Sequence, residues 1–263
     1  MTQIDQSALA GLRRWNYRLA GVFLLQAAAI LLLSKHTATP VSATYLTTDT
    51  VQSVVAGHTV FAEASRQLHT VSIAGFVSLA LCALGVMYGA AATFARARYE
   101  TDLGKGSNSL RWIGYGAAQA LLFIVVALLG GIQDITTLAL VGVLGMFMCL
   151  LARATEQTTR VKGQTPWLTY GLSVAAGLIV WLVIGTALGH AHLYGDGHIP
   201  GYVYLLFAGL LISITKVLGI LLLSLRRHGS WVNYLHVERM YMLSNFVVIS
   251  LLSWFVFVEV LNP

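Results

Sequence analysis

The sequence predicts an all-α membrane protein built on seven spanning helices, and three observations predict it. Of 263 residues, 57% are hydrophobic and only 10% charged, with a mean hydropathy of +0.75, where a soluble domain carries about 25% charged residues. Seven apolar runs, at 15–34, 70–93, 110–130, 134–152, 167–189, 202–225 and 240–260, approach or exceed the roughly 20 residues that a helix needs to cross a bilayer. The basic residues gather in alternate connections. Barrel strands would alternate polar and apolar positions; these runs are apolar all round.

Taken in order, residues 1–12 are polar and read as a frayed segment or a short interfacial helix. The first run lacks a small-residue cleavage site and is long for a signal peptide, so it reads as a retained helix. The connection from Lys35 to His69 is long for a compact membrane domain, which implies structure of its own. Its Thr, Val and Tyr content, over Val41–Leu46 and Val51–Phe61, favours strands; the segment 35–68 is expected to fold as a β-hairpin. The remaining connections are short. No internal repeat is visible, against an inverted-repeat transporter, and the chain 1–263 reads as a single domain.

The net charge of +6 follows topology and gives no sign of a nucleic-acid partner. Arg13, Arg14 and Arg18 precede or open helix 1. Arg96, Arg98, Lys105 and Arg111 lie between helices 2 and 3, Arg153, Arg160 and Lys162 follow helix 4, and Arg226, Arg227 and Arg239 lie between helices 6 and 7. The other side has only Lys35 and Arg66. By the positive-inside rule the N-terminus is cytoplasmic and the C-terminus extracellular.

Few residues are placed to do chemistry, and no enzyme is expected. Cys82 and Cys149 fall inside helices without metal or redox spacing and read as buried free thiols. Ionisable residues in mid-membrane are costly and usually functional. Asp134, Glu238 and Glu259 sit near helix ends, which leaves Lys216 as the one charge well inside a helix, with no carboxylate at comparable depth. A proton relay is therefore not expected. Lys216 has two readings. It anchors a ligand or an ion pair, or its stem follows the helix while the amine reaches backbone carbonyls, Ser213, Thr215 or water. His190, His192 and His198, with Asp196, offer donors suited to Zn²⁺ or Cu²⁺, but the spacing matches no standard metal site. No mid-helix histidine supports a haem.

Several local patterns resemble the heliorhodopsins, a seven-helix retinal-binding family. They are Ala20-Gly21-Val22-Phe23 with Leu24-Leu25-Gln26 in helix 1, Pro40 and Thr44-Tyr45-Leu46 in the first loop, and Asn108-Ser109-Leu110-Arg111-Trp112-Ile113-Gly114-Tyr115 entering helix 3. Pro200-Gly201-Tyr202-Val203-Tyr204 opens helix 6, and Trp231-Val232-Asn233-Tyr234-Leu235 with Glu238-Arg239-Met240-Tyr241 leads into helix 7. The resemblance implies a rhodopsin-like bundle with inverted orientation and a homodimer built in part by the hairpin.

It also implies a departure from the family. The family's retinal-binding lysine falls on Ile249, and an alkyl side chain forms no Schiff base. Its counterion glutamate falls on Gly114, and helix-interior histidines fall near Leu24 and Met87. Trp181, Ser250 and Trp254 still match, and Asn245, Met87, Leu211 and Ile214 belong to the same former pocket. Lys216 lies roughly 140° around its helix from Leu211, at about 100° per residue, which disfavours it as a substitute anchor. The expectation is a binding, signalling or regulatory protein with no covalent cofactor. It would hold an apolar ligand or non-covalent retinal, or act through a protein partner. Alternatives are a photoreceptor re-anchored at Lys216 and, behind it, a transporter or channel.

Overall fold

The computed structural model describes residues 6–35, 38–195, 198–226 and 228–262. The chain is mostly helical, with one two-stranded sheet. Seven helices are long and apolar enough to cross a membrane: α1 (Gln6–Leu33), α3 (Ile73–Ala92), α5 (Ser109–Leu129), α6 (Ile135–Lys162), α7 (Trp167–Tyr194), α8 (Gly201–Arg226) and α9 (Tyr234–Val256), the last continued by a π-helical turn over Phe257–Leu261. The protein is therefore a multi-pass membrane protein. Two short helices lie outside the spans, α2 (Thr50–Ala56) and α4 (Arg96–Gly104).

The spans run past the apolar stretches that announce them. α1 is continuous from Gln6, so the described part of the polar start is helix. α6 continues through Arg153, Glu156 and Arg160 to Lys162 and closes at Gly163, whose φ of 69° suits glycine. These charges end the hydropathy signal but not the helix, because straight-chain polar residues are good helix formers.

Strands β1 (Ala38–Asp49) and β2 (Val60–Ser72) form the expected antiparallel hairpin, with Tyr45 opposite Ala64 and an irregularity between Val41 and Ser42. One part of that expectation fails. Val51–Ala56 is the helix α2, not strand: Asp49 caps its N-terminus by accepting from the Gln52 N–H at 2.9 Å, and Gly57 ends it at φ 69°. These caps outweigh the strand preference of Val51, Val54 and Val55. The hairpin docks on the α5–α6 connection. The Ser42 N–H donates to the Gln133 carbonyl at 2.9 Å, and the Thr44 N–H donates to Asp134 Oδ1 at 3.3 Å.

The bundle thus has two ends. The hairpin marks one; most arginines and lysines, with α4, mark the other, called here the basic face. Arg227 lies outside the described residues. The core runs between the ends, and outward-facing side chains such as Leu25, Leu182 and Leu251 are apolar and exposed, as a lipid-facing surface requires.

Candidate functional site

The bundle interior carries two polar regions joined by a line of tyrosines. The first lies near the basic face and centres on Arg111, in the first turn of α5, a side chain only 1% exposed. Its Nη2 donates to Glu156 Oε1 at 2.7 Å and to the Tyr234 hydroxyl at 3.0 Å, and its Nη1 pairs with Glu238 Oε2. Each carboxylate has further donors. Glu156 accepts from Trp112 Nε1 at 2.8 Å, the Tyr234 hydroxyl at 2.9 Å and the Asn108 N–H at 3.2 Å. Glu238 accepts from Asn108 Nδ2 at 2.8 Å and from the Tyr99 hydroxyl of α4 at 3.2 Å. The guanidinium also lies 3.9 Å over the Tyr241 ring. Burial, reinforced by the Glu238 carboxylate, raises the Tyr99 hydroxyl well above its ordinary range. One guanidinium thereby ties α5, α6 and α9 together, with α4 attached through Tyr99.

This cluster corrects the sequence reading in two places. Arg111 looks like one of several topological cations, and Glu156 lies beyond the expected end of helix 4. Both are buried, and so is Glu238. The usable signal was the pairing of an arginine at the start of one span with glutamates at matching ends of two others, but partners 45 and 127 positions away are not readable from local pattern.

From this cluster a chain of hydroxyls leads inward. The Tyr241 hydroxyl donates to the Val217 carbonyl at 3.3 Å, the Tyr115 hydroxyl donates to the Tyr241 carbonyl at 3.1 Å, and the Tyr88 and Tyr115 hydroxyls lie 3.0 Å apart. Ser213 donates to Gln119 Oε1 at 2.9 Å nearby along α8.

The second region holds the residues singled out around the former pocket. Lys216 donates through Nζ to Asn245 Oδ1 at 2.8 Å. This corrects the expectation that its amine serves backbone carbonyls, Ser213 or Thr215. The lysine turns toward α9, and Asn245 lies one helical turn before Ile249, on the same side of that helix. Lys216 makes no ion pair among the described residues. Ser250 Oγ is buried without a partner among the described residues.

At Gly114 the packing is tight. Ile249 is 1% exposed. A Cβ placed on Gly114 would lie 2.7 Å from Met87 Cβ and nearer still to its Cγ, so Met87 occupies the space that any side chain at position 114 would need. A Cβ placed on Gly177 of α7 would likewise lie 2.9 Å from Ile214 Cγ2 and 2.8 Å from Met148 Sδ. Trp181 stacks on Phe207 at 4.5 Å and donates to the Phe207 carbonyl at 3.2 Å. Trp254 meets Phe257 edge-on at 5.2 Å. Leu211, five residues before Lys216, is partly buried. α9 contains no lysine, and Gly114 carries no carboxylate.

His190 and His192 lie near the end of α7 and His198 in the loop beyond, all exposed. Asp196 lies outside the described residues. Among the described residues no group of three potential ligands gathers for a metal. Cys82 and Cys149 are free thiols.

The comparisons agree with this architecture. No curated protein sequence matches the chain. The family model for heliorhodopsin matches residues 12–261, which takes in all seven spans, the hairpin and both polar regions. The chain belongs to the heliorhodopsin family.

Proposed function

We propose that this protein is a non-photochemical member of its family, a binding or signalling protein rather than a retinal pigment, pump or enzyme. The observation that carries the reading is the packing at Gly114. On the sequence resemblance, the family's lysine and its carboxylate partner correspond to Ile249 and Gly114. Here one position is a buried alkyl chain and the other is closed by Met87. Loss of one charge alone would strand the other in a low-dielectric site; both are replaced, and the space is apolar. Any ligand held near Trp181, Ile249 and Trp254 is then apolar and non-covalent, or the scaffold acts through a protein partner.

The same reading treats the chain as one domain with the basic face in the cytoplasm, in line with its charge asymmetry. It also treats the protein as a homodimer through the hairpin, whose Tyr45, Leu46 and Phe61 are exposed. Thiol labelling of a cysteine placed near Arg160 from the outside of intact cells would overturn the orientation. An unchanged dimer after deletion of residues 41–60 would overturn the hairpin interface.

A second reading is favoured by one observation. Lys216 reaches Asn245, on the Ile249 side of α9, so its amine is nearer the former pocket than helical spacing suggests. Its weakness is the missing carboxylate partner for a protonated Schiff base. Purified protein mixed with all-trans retinal separates the two readings. No visible band that hydroxylamine bleaches is expected. A band that Lys216→Ala abolishes would make the protein a re-anchored pigment and defeat the main reading.

A further inference from the structure

At the basic face, the first three turns of α1 and the start of α4 enclose a cleft of about 370 Å³. Arg13, Arg14 and Tyr17 line it from α1, Arg96 from α4, with Leu9 and Ala10 as its apolar wall. Three arginines line the cleft, and among the described residues no carboxylate does. Glu100 pairs with Arg96 Nε at 2.6 Å. Arg13 lies over the Tyr17 ring at 5.6 Å, and its Nε is buried with no acceptor. Like charges held together with an unmatched buried donor call for an anion. Guanidinium groups favour phosphate through paired, charge-assisted hydrogen bonds.

The surroundings indicate where that phosphate comes from. Residues 14, 17, 21 and 25 recur at three- and four-residue spacing, so they share one stripe of α1. Along it the cleft gives way to Gly21, where a Cβ would meet nothing within 4 Å, and then to Leu25, 72% exposed. Phe94, two residues before Arg96, is 85% exposed. A charged cleft thus continues into an apolar, lipid-facing stripe of α1. We propose that it binds the phosphate of an anionic membrane phospholipid, with one acyl chain lying along the Gly21–Leu25 stripe. The site is independent of the former pocket and of which way the protein faces, since both leaflets present headgroups at this level.

Native mass spectrometry of the full-length protein in detergent tests it by titration with dioctanoyl phosphatidylglycerol, dioctanoyl phosphatidylcholine and inorganic phosphate. The anionic lipid is expected to bind about tenfold more tightly than the zwitterionic one, and Arg13→Gln with Arg96→Gln to remove about that much of its affinity, since each basic group near a headgroup contributes measurably. Arg66→Gln, on the hairpin face, should change nothing. If the double variant does not fold, Arg14→Gln alone should still weaken binding severalfold. Equal binding of both lipids, or wild-type affinity in the arginine variants, overturns the proposal. Inorganic phosphate binding as tightly as the anionic lipid overturns it too, in favour of a soluble-anion site.

Discussion

The Arg111 cluster and the packing around Gly114 lie in the same bundle and solve opposite problems. In the cluster, three ionisable side chains are buried at 1–2% exposure, and nearly every polar atom is satisfied by a partner from another element. At Gly114 an apolar methionine fills the room that a side chain would need. A buried charge is tolerable where its partners are all present and costly where one is missing. The two regions are the two stable outcomes of that rule. Lys216 stands between them, with one amide oxygen as acceptor and no counter-charge among the described residues.

The most severe way to break the contrast is to unbalance the cluster. Arg111→Ala leaves Glu156 and Glu238 facing each other in the interior and should cost about 3–5 kcal/mol, read as a large drop in Tm or loss of folded protein in detergent. Adding Glu156→Gln and Glu238→Gln should recover part of it. Wild-type melting of Arg111→Ala alone would mean the three groups do not act as an ionic unit.

The apolar region can be challenged in the other direction. Gly114→Ala drives a methyl group into Met87 and should destabilise by about 1–3 kcal/mol, as overpacking does. The effect should shrink when Met87 is also shortened to alanine. In that Met87→Ala background, Ile249→Lys with Gly114→Glu is expected to give a visible band with retinal. Without the methionine change the carboxylate has no room, and Ile249→Lys alone should perform worse. A pigment formed equally well with Met87 intact would show that the methionine does not close the site.

Asn245→Ala probes the intermediate case. It leaves the Lys216 amine without its acceptor and should cost about 1–3 kcal/mol. In the Lys216→Met background the same change should cost much less, and the double-mutant cycle measures the coupling directly. Additive effects would mean that the hydrogen bond contributes nothing.

The smallest effect is expected at the solvated end, where charge is cheap. Asp134 caps α6 through the Thr137 N–H at 2.8 Å and also meets Thr44 of the hairpin. These bonds, that from the Thr137 backbone first, hold its carboxyl below the ordinary value of 3.8. A lowered carboxyl stabilises the fold at all pH above the ordinary value, and that contribution disappears as pH falls below it. Asp134→Ala should cost about 1 kcal/mol at neutral pH, as lost caps do, and the difference from wild type should vanish in strong acid. A difference that grew on acidification would reverse the assignment.

Much of this architecture is legible in the chain. Seven apolar runs give seven spans, and the Thr, Val and Tyr content of the first loop gives the hairpin. The places where reading falls short share one cause. Hydropathy ends helix 4 near residue 152 because Arg153, Glu156 and Arg160 look like a solvated end, yet Glu156 is neutralised by an arginine of another helix. The strand preference of Val51–Ala56 yields to Asp49 and Gly57, two caps that are visible in the sequence but carry less weight than a run of valines. Met87 is the subtler case. The missing side chain at Gly114 can be read, but what fills its space comes from α3 and appears only in three dimensions.

The Arg111 cluster has a mechanical consequence. Drawing α9 away from α5 at the basic face would separate Glu238 from its guanidinium and bare charge to lipid, so that end behaves as a clamp. At the hairpin end a backbone hydrogen bond, from the Lys35 N–H to the Leu261 carbonyl at 2.8 Å, joins the residues just after α1 to the turn that continues α9. The basic face is thus the end where separating α5, α6 and α9 costs charge as well as packing.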